Sequence, residues 1–208
     1  MPIPIQGLIF DYGNVLCLPQ SRSDLQSMAA ILRVPEAEFE PVYWSYRMVY
    51  DATGIEPAAY WEQVASDLGS TLTPSEIEQL RRLDVDCWST PNTTMIAFAE
   101  AARAAGLRTA ILSNMPMDLR LSVAKWLPAF DHSTYSCDVR TCKPGPEIYQ
   151  HCLEGLAIPA SQALFLDDRP ENVEAAQRAG IHSFVFTTAE DAAAVLARDY
   201  ALPVRIEC

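Results

Sequence analysis

The chain has 208 residues, half of them hydrophobic and a fifth charged, which suits one soluble domain or a domain carrying an insertion. Twenty-seven acids against fifteen bases leave a net charge of −12. That disfavours nucleic acid and anionic membrane surfaces as partners, since both are held by basic patches, and an anionic substrate would need a local cation or metal ion. No apolar run is long enough to span a membrane, and Met1-Pro2-Ile3-Pro4-Ile5-Gln6 lacks a basic segment followed by a separate apolar one. The expectation is a cytoplasmic protein without a signal peptide. The six cysteines, at 17, 87, 137, 142, 152 and 208, form no CxxC pair and no zinc-type cluster, so they read as small core thiols.

Residues 5–11 read as a short buried strand ending in Asp11. From about 20 to 88 the pattern is helical and has no clear strand. Ser21 or Ser23 can cap a first helix, which Pro35 stops, and an aromatic stretch follows from Phe39 to Tyr50. A third helix starts at Glu56-Pro57 and ends near Gly69, and the capping box of Thr73 and Glu76 opens a fourth. Beyond Pro91 helices and strands alternate. Helices are expected at 92–105, 117–127, 146–156 and 170–179, with a last one capped by Thr188; strands are expected at 107–112, 133–137, 163–166 and 181–186. This alternation predicts an α/β fold, a doubly wound parallel sheet. The division that follows is an α/β core of residues 1–19 and 89–208 with an inserted helical cap of residues 20–88. Such sheets bind ligands beyond the carboxyl ends of their strands.

The residues at those ends carry the chemical signal. Asp11 follows the first strand, Ser113 and Asn114 the second, and Asp167 and Asp168 the fourth, while Lys143 stands in a Pro/Gly loop before the 146–156 helix. Singly, each suits a turn, a cap or a solvated loop. Together they make sense for phosphoryl transfer. Asp11 can attack phosphorus, and Asp11 and Asp168, with Asp167 as a third candidate, can share a magnesium ion. Ser113 and the Asn114 backbone N–H can hold phosphate oxygens, while Lys143 offsets developing charge.

With "FDYGNVL", "ILSN", "CKPGPEIY" and "FLDDRPENVEAA" in this order, and a helical insertion after the first, the chain resembles the haloacid dehalogenase superfamily of hydrolases over its whole length. The resemblance implies a Rossmann-like core, Asp11 as nucleophile, Ser113 and Lys143 at the phosphate, and Mg2+ held by Asp168 with Asp11. Asn172 falls where a second acid often stands. The chain departs from the family at Gly13, where most family phosphatases carry a second Asp that shuttles protons. A glycine there can still offer its carbonyl to the metal, or serve only a tight turn.

Three readings follow. One is a magnesium-dependent phosphatase of a small phosphorylated metabolite; the Asp-x-Gly-Asn pattern is similar to that of a sugar-phosphate phosphatase branch of the family. Another is a metal-independent 2-haloacid dehalogenase, against which the Asp167-Asp168 pair counts. The last is a binding or regulatory protein on an impaired enzyme scaffold. The aromatic stretch, with Tyr43, Trp44, Tyr46, Tyr50 and Trp61, reads as packing before substrate contact, and Arg47 as a solvated arginine. His132, His151 and His182 read as structural or surface groups.

Overall fold

The computed structural model describes residues 4–207; residues 1–3 and Cys208, on which part of the leader and cysteine readings rest, lie outside the described residues. Five strands form one parallel sheet: β1 (Gly7–Phe10), β2 (Arg108–Ser113), β3 (His132–Tyr135), β4 (Ala163–Asp167) and β5 (His182–Val185), in the order β3-β2-β1-β4-β5. All five expected strands are present. The third stops at Tyr135, short of 137, because its partner β2 ends opposite it at Ser113. The chain then turns into a short helix, Ser136–Val139.

The central strands β1 and β4 are buried on both faces because helices cover both. Successive side chains point to opposite faces. Ile9, Ala110, Leu112 and Phe165 face one way, onto α9 (Pro146–Leu156) and α10 (Pro170–Arg178), where Ile148, Tyr149, Cys152 and Ala176 close the layer. Leu8, Phe10, Ile111 and Leu166 face the other, onto α6 (Thr93–Ala104) and α11 (Ala189–Asp199) through Met95, Phe98, Ala99 and Leu196. Each large side chain buried there contributes roughly 1.5–3 kcal/mol.

Five helices, one more than the sequence pattern suggests, lie between β1 and α6: α1 (Arg22–Leu32), α2 (Glu36–Ser45), α3 (Arg47–Thr53), α4 (Pro57–Asp67) and α5 (Pro74–Cys87). The aromatic stretch divides at Tyr46, which redirects α3 so that Arg47 reaches Asp84 on α5. The expected capping box of Thr73 and Glu76 forms, and Ser21, not Ser23, caps the first helix, in a second box with Asp24. The chain enters and leaves this block side by side: Leu18 N–H donates to the Thr90 carbonyl at 2.8 Å and Asn92 N–H to the Leu16 carbonyl at 2.9 Å. The helix expected over 117–127 is α7 (Met117–Val123); beyond it the turns tighten, with Trp126 N–H donating to the Val123 carbonyl, as Pro128 approaches. The Ser136–Val139 helix, α8, packs against α3.

Candidate active site

Sequential connections run from β1 to β2 and β3 on one side and to β4 and β5 on the other, so the order reverses beside β1. The crevice at the carboxyl ends of β1 and β4 is therefore the ligand position of this architecture. The β1–β4 register carries Asp11 there, its N–H donating to the Leu166 carbonyl at 2.9 Å, next to Asp167 at the end of β4. A cavity of about 720 Å³ opens at this point, lined by Asp11, Gly13, Ser113, Asn114, Lys143 and Asp168 from the strand ends, and by Trp44, Arg47, Asp51 and Trp88 from the helical block and its exit.

Lys143 is the hub. Its Nζ lies 2.8 Å from Asp11 Oδ1 and 2.6 Å from Asp167 Oδ2, and it is almost completely buried. Burial alone would lower its proton affinity, but the two carboxylates more than offset this and hold it charged, above the ordinary lysine range. Asn114 fixes the lysine's backbone: its amide donates to the Lys143 carbonyl and accepts from the Lys143 N–H, both at 2.9 Å. The Asn114 side chain is thus a clamp on the lysine loop, a function the sequence did not reveal. Among the described residues, Ser113, buried at the end of β2, has only a 3.5 Å contact from its hydroxyl to the Asn114 carbonyl.

The acids differ in how far they are already engaged. Asp167 accepts from Lys143, from Asn172 Nδ2 at 3.0 and 3.1 Å, and from the Arg169 N–H at 2.9 Å. Asn172 therefore serves Asp167, from the position where the family often has an acid. Asp168 is half-buried and accepts from Asn14 Nδ2 at 2.7 Å. Burial raises its carboxyl above the usual range, Asn14 opposing this. Asp11 accepts from the Tyr12 N–H at 2.6 Å, and burial pushes its carboxyl up to about 7, with Lys143 opposing and Asp167 reinforcing.

Asp11, Asp167 and Asp168 can each place a carboxylate oxygen within 4.8 Å of the others. Three carboxyl groups crowd around one ammonium, and the buried Asn14 Oδ1 has no hydrogen-bond partner among the described residues. These observations fit a hard divalent cation with oxygen ligands.

The turn after Asp11 corrects one reading of Gly13. Its φ of −61° is open to any residue, and the left-handed position of the turn is Asn14, at φ 58°. A Cβ on Gly13 would lie 3.6 Å from Trp88 Cζ3, ordinary contact distance, so neither the tight turn nor local crowding requires the glycine.

Arg47 is also corrected. It is buried, its Nε 2.9 Å from Asp51 Oδ1 and its Nη1 2.8 Å from Asp84 Oδ1, because α2 and α5 close around it. Tyr43, Tyr50 and Trp61 pack in the interior of the helical block, Tyr50 stacked on Tyr60 with centroids 4.3 Å apart. Of the aromatic stretch, Trp44 reaches the cavity. His132 contacts Thr134 Oγ1 at 3.0 Å, on the far side of the strands from the acids. The five described cysteines are free thiols. Among the described residues no helix is long and apolar enough to cross a membrane.

A Rossmann-like α/β fold, a parallel sheet with an acid-rich crevice at the carboxyl ends of its central strands, is the class these features define. The comparisons agree. The haloacid dehalogenase-like hydrolase family matches residues 5–180, and the chain belongs to that family. It is 30% identical over 184 residues to the sesquiterpene phosphatase astK of Aspergillus oryzae, covering 85% of this chain and 87% of that protein. It is 42% identical over 86 residues to acyl-CoA dehydrogenase family member 10 of Mus musculus, a stretch that covers 39% of this chain but 8% of that protein. Among solved structures, a haloacid dehalogenase family enzyme of Bacteroides thetaiotaomicron in complex with magnesium and inorganic phosphate superposes with TM-score 0.70 at 20% identity, over 88% of this chain and 94% of the other. The L-2-haloacid dehalogenase of Xanthobacter autotrophicus superposes with TM-score 0.65 at 18% identity, over 98% and 89%. At these identities the structural likenesses establish the fold.

Proposed function

We propose that the chain is a magnesium-dependent phosphatase that hydrolyses a phosphate monoester of a small metabolite through a phosphorylated Asp11. The observation that carries this reading is the Asp11–Lys143–Asp167 bridge beside Asp168, at the strand ends and within the cavity. Two further features support it: the phosphatase of Aspergillus oryzae is a relative over 85% of this chain, and the Bacteroides thetaiotaomicron enzyme of the same fold is seen in complex with magnesium and inorganic phosphate.

In this reading Asp11 Oδ attacks phosphorus, and Lys143 screens the nucleophile from Asp167 and meets the charge that develops on the phosphoryl oxygens. The Ser113 hydroxyl and the Asn114 N–H hold those oxygens. Asp11, Asp168 and the Gly13 carbonyl are the proposed ligands of Mg2+, with Asp167 held back by the contacts it already makes. When bound, the ion neutralises charge between the nucleophile and the phosphoryl group. Residues 20–88 act as the cap, closing over the crevice and excluding water.

A metal-independent dehalogenase shares the fold, but three carboxylates around one lysine are more negative charge than a carboxylate substrate tolerates without a cation. The test is phosphate release from sugar phosphates and p-nitrophenyl phosphate, with and without magnesium, and chloride release from a 2-haloacid. Magnesium-dependent phosphate release that Asp11→Asn abolishes is expected. Chloride release without metal, or phosphate release that survives in Asp11→Asn, would overturn the reading.

A further inference from the structure

Gly13 offers no proton-transfer group two residues after the nucleophile, so a replacement has to come from elsewhere in the cavity wall. Neither a histidine nor a cysteine is among the described residues lining it. The Tyr12 hydroxyl is committed, donating to the Trp88 carbonyl. Apart from Asp11 and Asp168, the carboxyl groups in the wall are Glu40, Asp51 and Glu171. Glu40 and Glu171 are exposed, and Glu171 pairs with Arg169 at 3.3 Å. Asp51 is the buried one.

The backbone of Asp51 is tied to the catalytic loops. The Ser136 hydroxyl donates to the Asp51 carbonyl at 2.7 Å and accepts from the Met115 N–H at 2.9 Å, directly after Ser113 and Asn114. One turn earlier, the Met48 carbonyl contacts Cys142 Sγ at 3.7 Å, next to Lys143. Helix α3 is thereby held over both loops that flank the phosphate position.

Its side chain is the weaker-bound member of a buried triad. Arg47 gives Nη1 to both oxygens of Asp84, at 2.8 and 2.9 Å, and Asp84 also accepts from the Tyr43 hydroxyl at 2.6 Å. Asp51 has the single Nε contact at 2.9 Å. One guanidinium cannot neutralise two carboxylates, so a proton shared with this group resides on Asp51, the acid that faces the cavity.

We propose that Asp51 is the proton-transfer group of this site, an assignment that rests on the phosphatase reading. In the first step the bond from phosphorus to the leaving oxygen breaks, the bond from phosphorus to Asp11 forms, and the Asp51 carboxylic acid gives its proton to the departing alkoxide, which leaves as alcohol. In the second, the Asp51 carboxylate takes a proton from water as the water oxygen bonds to phosphorus. The bond from phosphorus to Asp11 then breaks, phosphate departs, and Asp11 and protonated Asp51 are restored.

The environment suits this cycle. Burial pushes the Asp51 carboxyl up to about 6, with Arg47 opposing, Asp84 reinforcing and Arg169 opposing. The other titratable groups facing it, the phenols of Tyr50 and Tyr60 and the thiols of Cys137 and Cys142, are all held neutral by burial. A group poised near neutrality serves both as acid and as base.

The experiment compares wild type with Asp51→Asn and Asp51→Glu, magnesium present, on p-nitrophenyl phosphate and on an alkyl phosphate hydrolysed by the wild type. The nitrophenolate leaves without protonation; the alkoxide does not. Asp51→Asn should give a burst of nitrophenolate stoichiometric with enzyme, a steady state about 100-fold slower than wild type, and phosphorylated protein detectable by mass. On the alkyl phosphate it should lose about 100-fold with no burst, and Asp51→Glu should recover part of both. Linear wild-type rates in Asp51→Asn would overturn the assignment alone, as would equal loss of burst and steady state. A wild type that releases no phosphate from any ester overturns the phosphatase reading and this assignment with it.

Discussion

Replacing Lys143 with methionine removes the one cation between two buried carboxylates. In the native protein the ammonium contacts Asp11 at 2.8 Å and Asp167 at 2.6 Å, with almost no solvent access. Removing one partner of such a buried pair costs about 3–5 kcal/mol, since the remaining charge has no compensation. For a chain of this length that corresponds to a fall in Tm of roughly 6–20 °C. The loss should depend on pH. In the wild type the Asp11 carboxyl is held up to about 7 against an ordinary 3.8, so the native state keeps a proton that the unfolded state releases, and stability falls as pH rises through that interval. Lys143 is an influence that lowers this value; without it the titration moves above 7, and the variant goes on losing stability where the wild type has levelled off. Each pH unit of that displacement is worth about 1.4 kcal/mol. The assay is urea unfolding of both proteins in chelator-treated buffer at about pH 6, 7 and 8.5, where the deficit should widen with pH. A deficit below about 1 kcal/mol, or one that is the same at all three values, would refute the argument that Lys143 is held by charge compensation.

Other outcomes follow from single contacts. Asn114→Ala removes two hydrogen bonds to the Lys143 backbone and should cost about 1–3 kcal/mol in urea unfolding, with a larger fall in kcat than change in KM, since the lysine loses its position. Magnesium at about a hundredfold its Kd should stabilise the wild type by roughly 2.7 kcal/mol, and scanning calorimetry should show that increment absent in Asp168→Asn. Gly13→Ala should change unfolding free energy by less than about 1 kcal/mol, because φ is −61° and the new Cβ meets Trp88 at contact distance; a loss of several kcal/mol in urea unfolding would show that the site does require a glycine.

The sequence by itself determined a good deal. Apolar runs followed by Asp11, Ser113 and Asp167, alternating with capped helices, were enough to specify a parallel sheet and to put those three residues at one edge. Strand period and cap chemistry are local, and in a parallel sheet every strand's carboxyl end faces the same way. Lys143 was legible only through the ordered motifs, since nothing local separates a catalytic lysine from a solvated one. Tertiary structure decided what depends on neighbours distant in sequence. It folded Arg47 inward because Asp84, 37 residues on, meets it with two oxygens, and it made the Asn114 side chain a clamp on a loop 29 residues away. It showed Gly13 to be unforced, since the left-handed turn position belongs to Asn14. And it tied Asp51, one unremarked acid in a helix, to the loop after Ser113 through Ser136, 85 residues further along the chain. Burial and partner geometry set proton affinity and reach, and neither is written in any short stretch of residues.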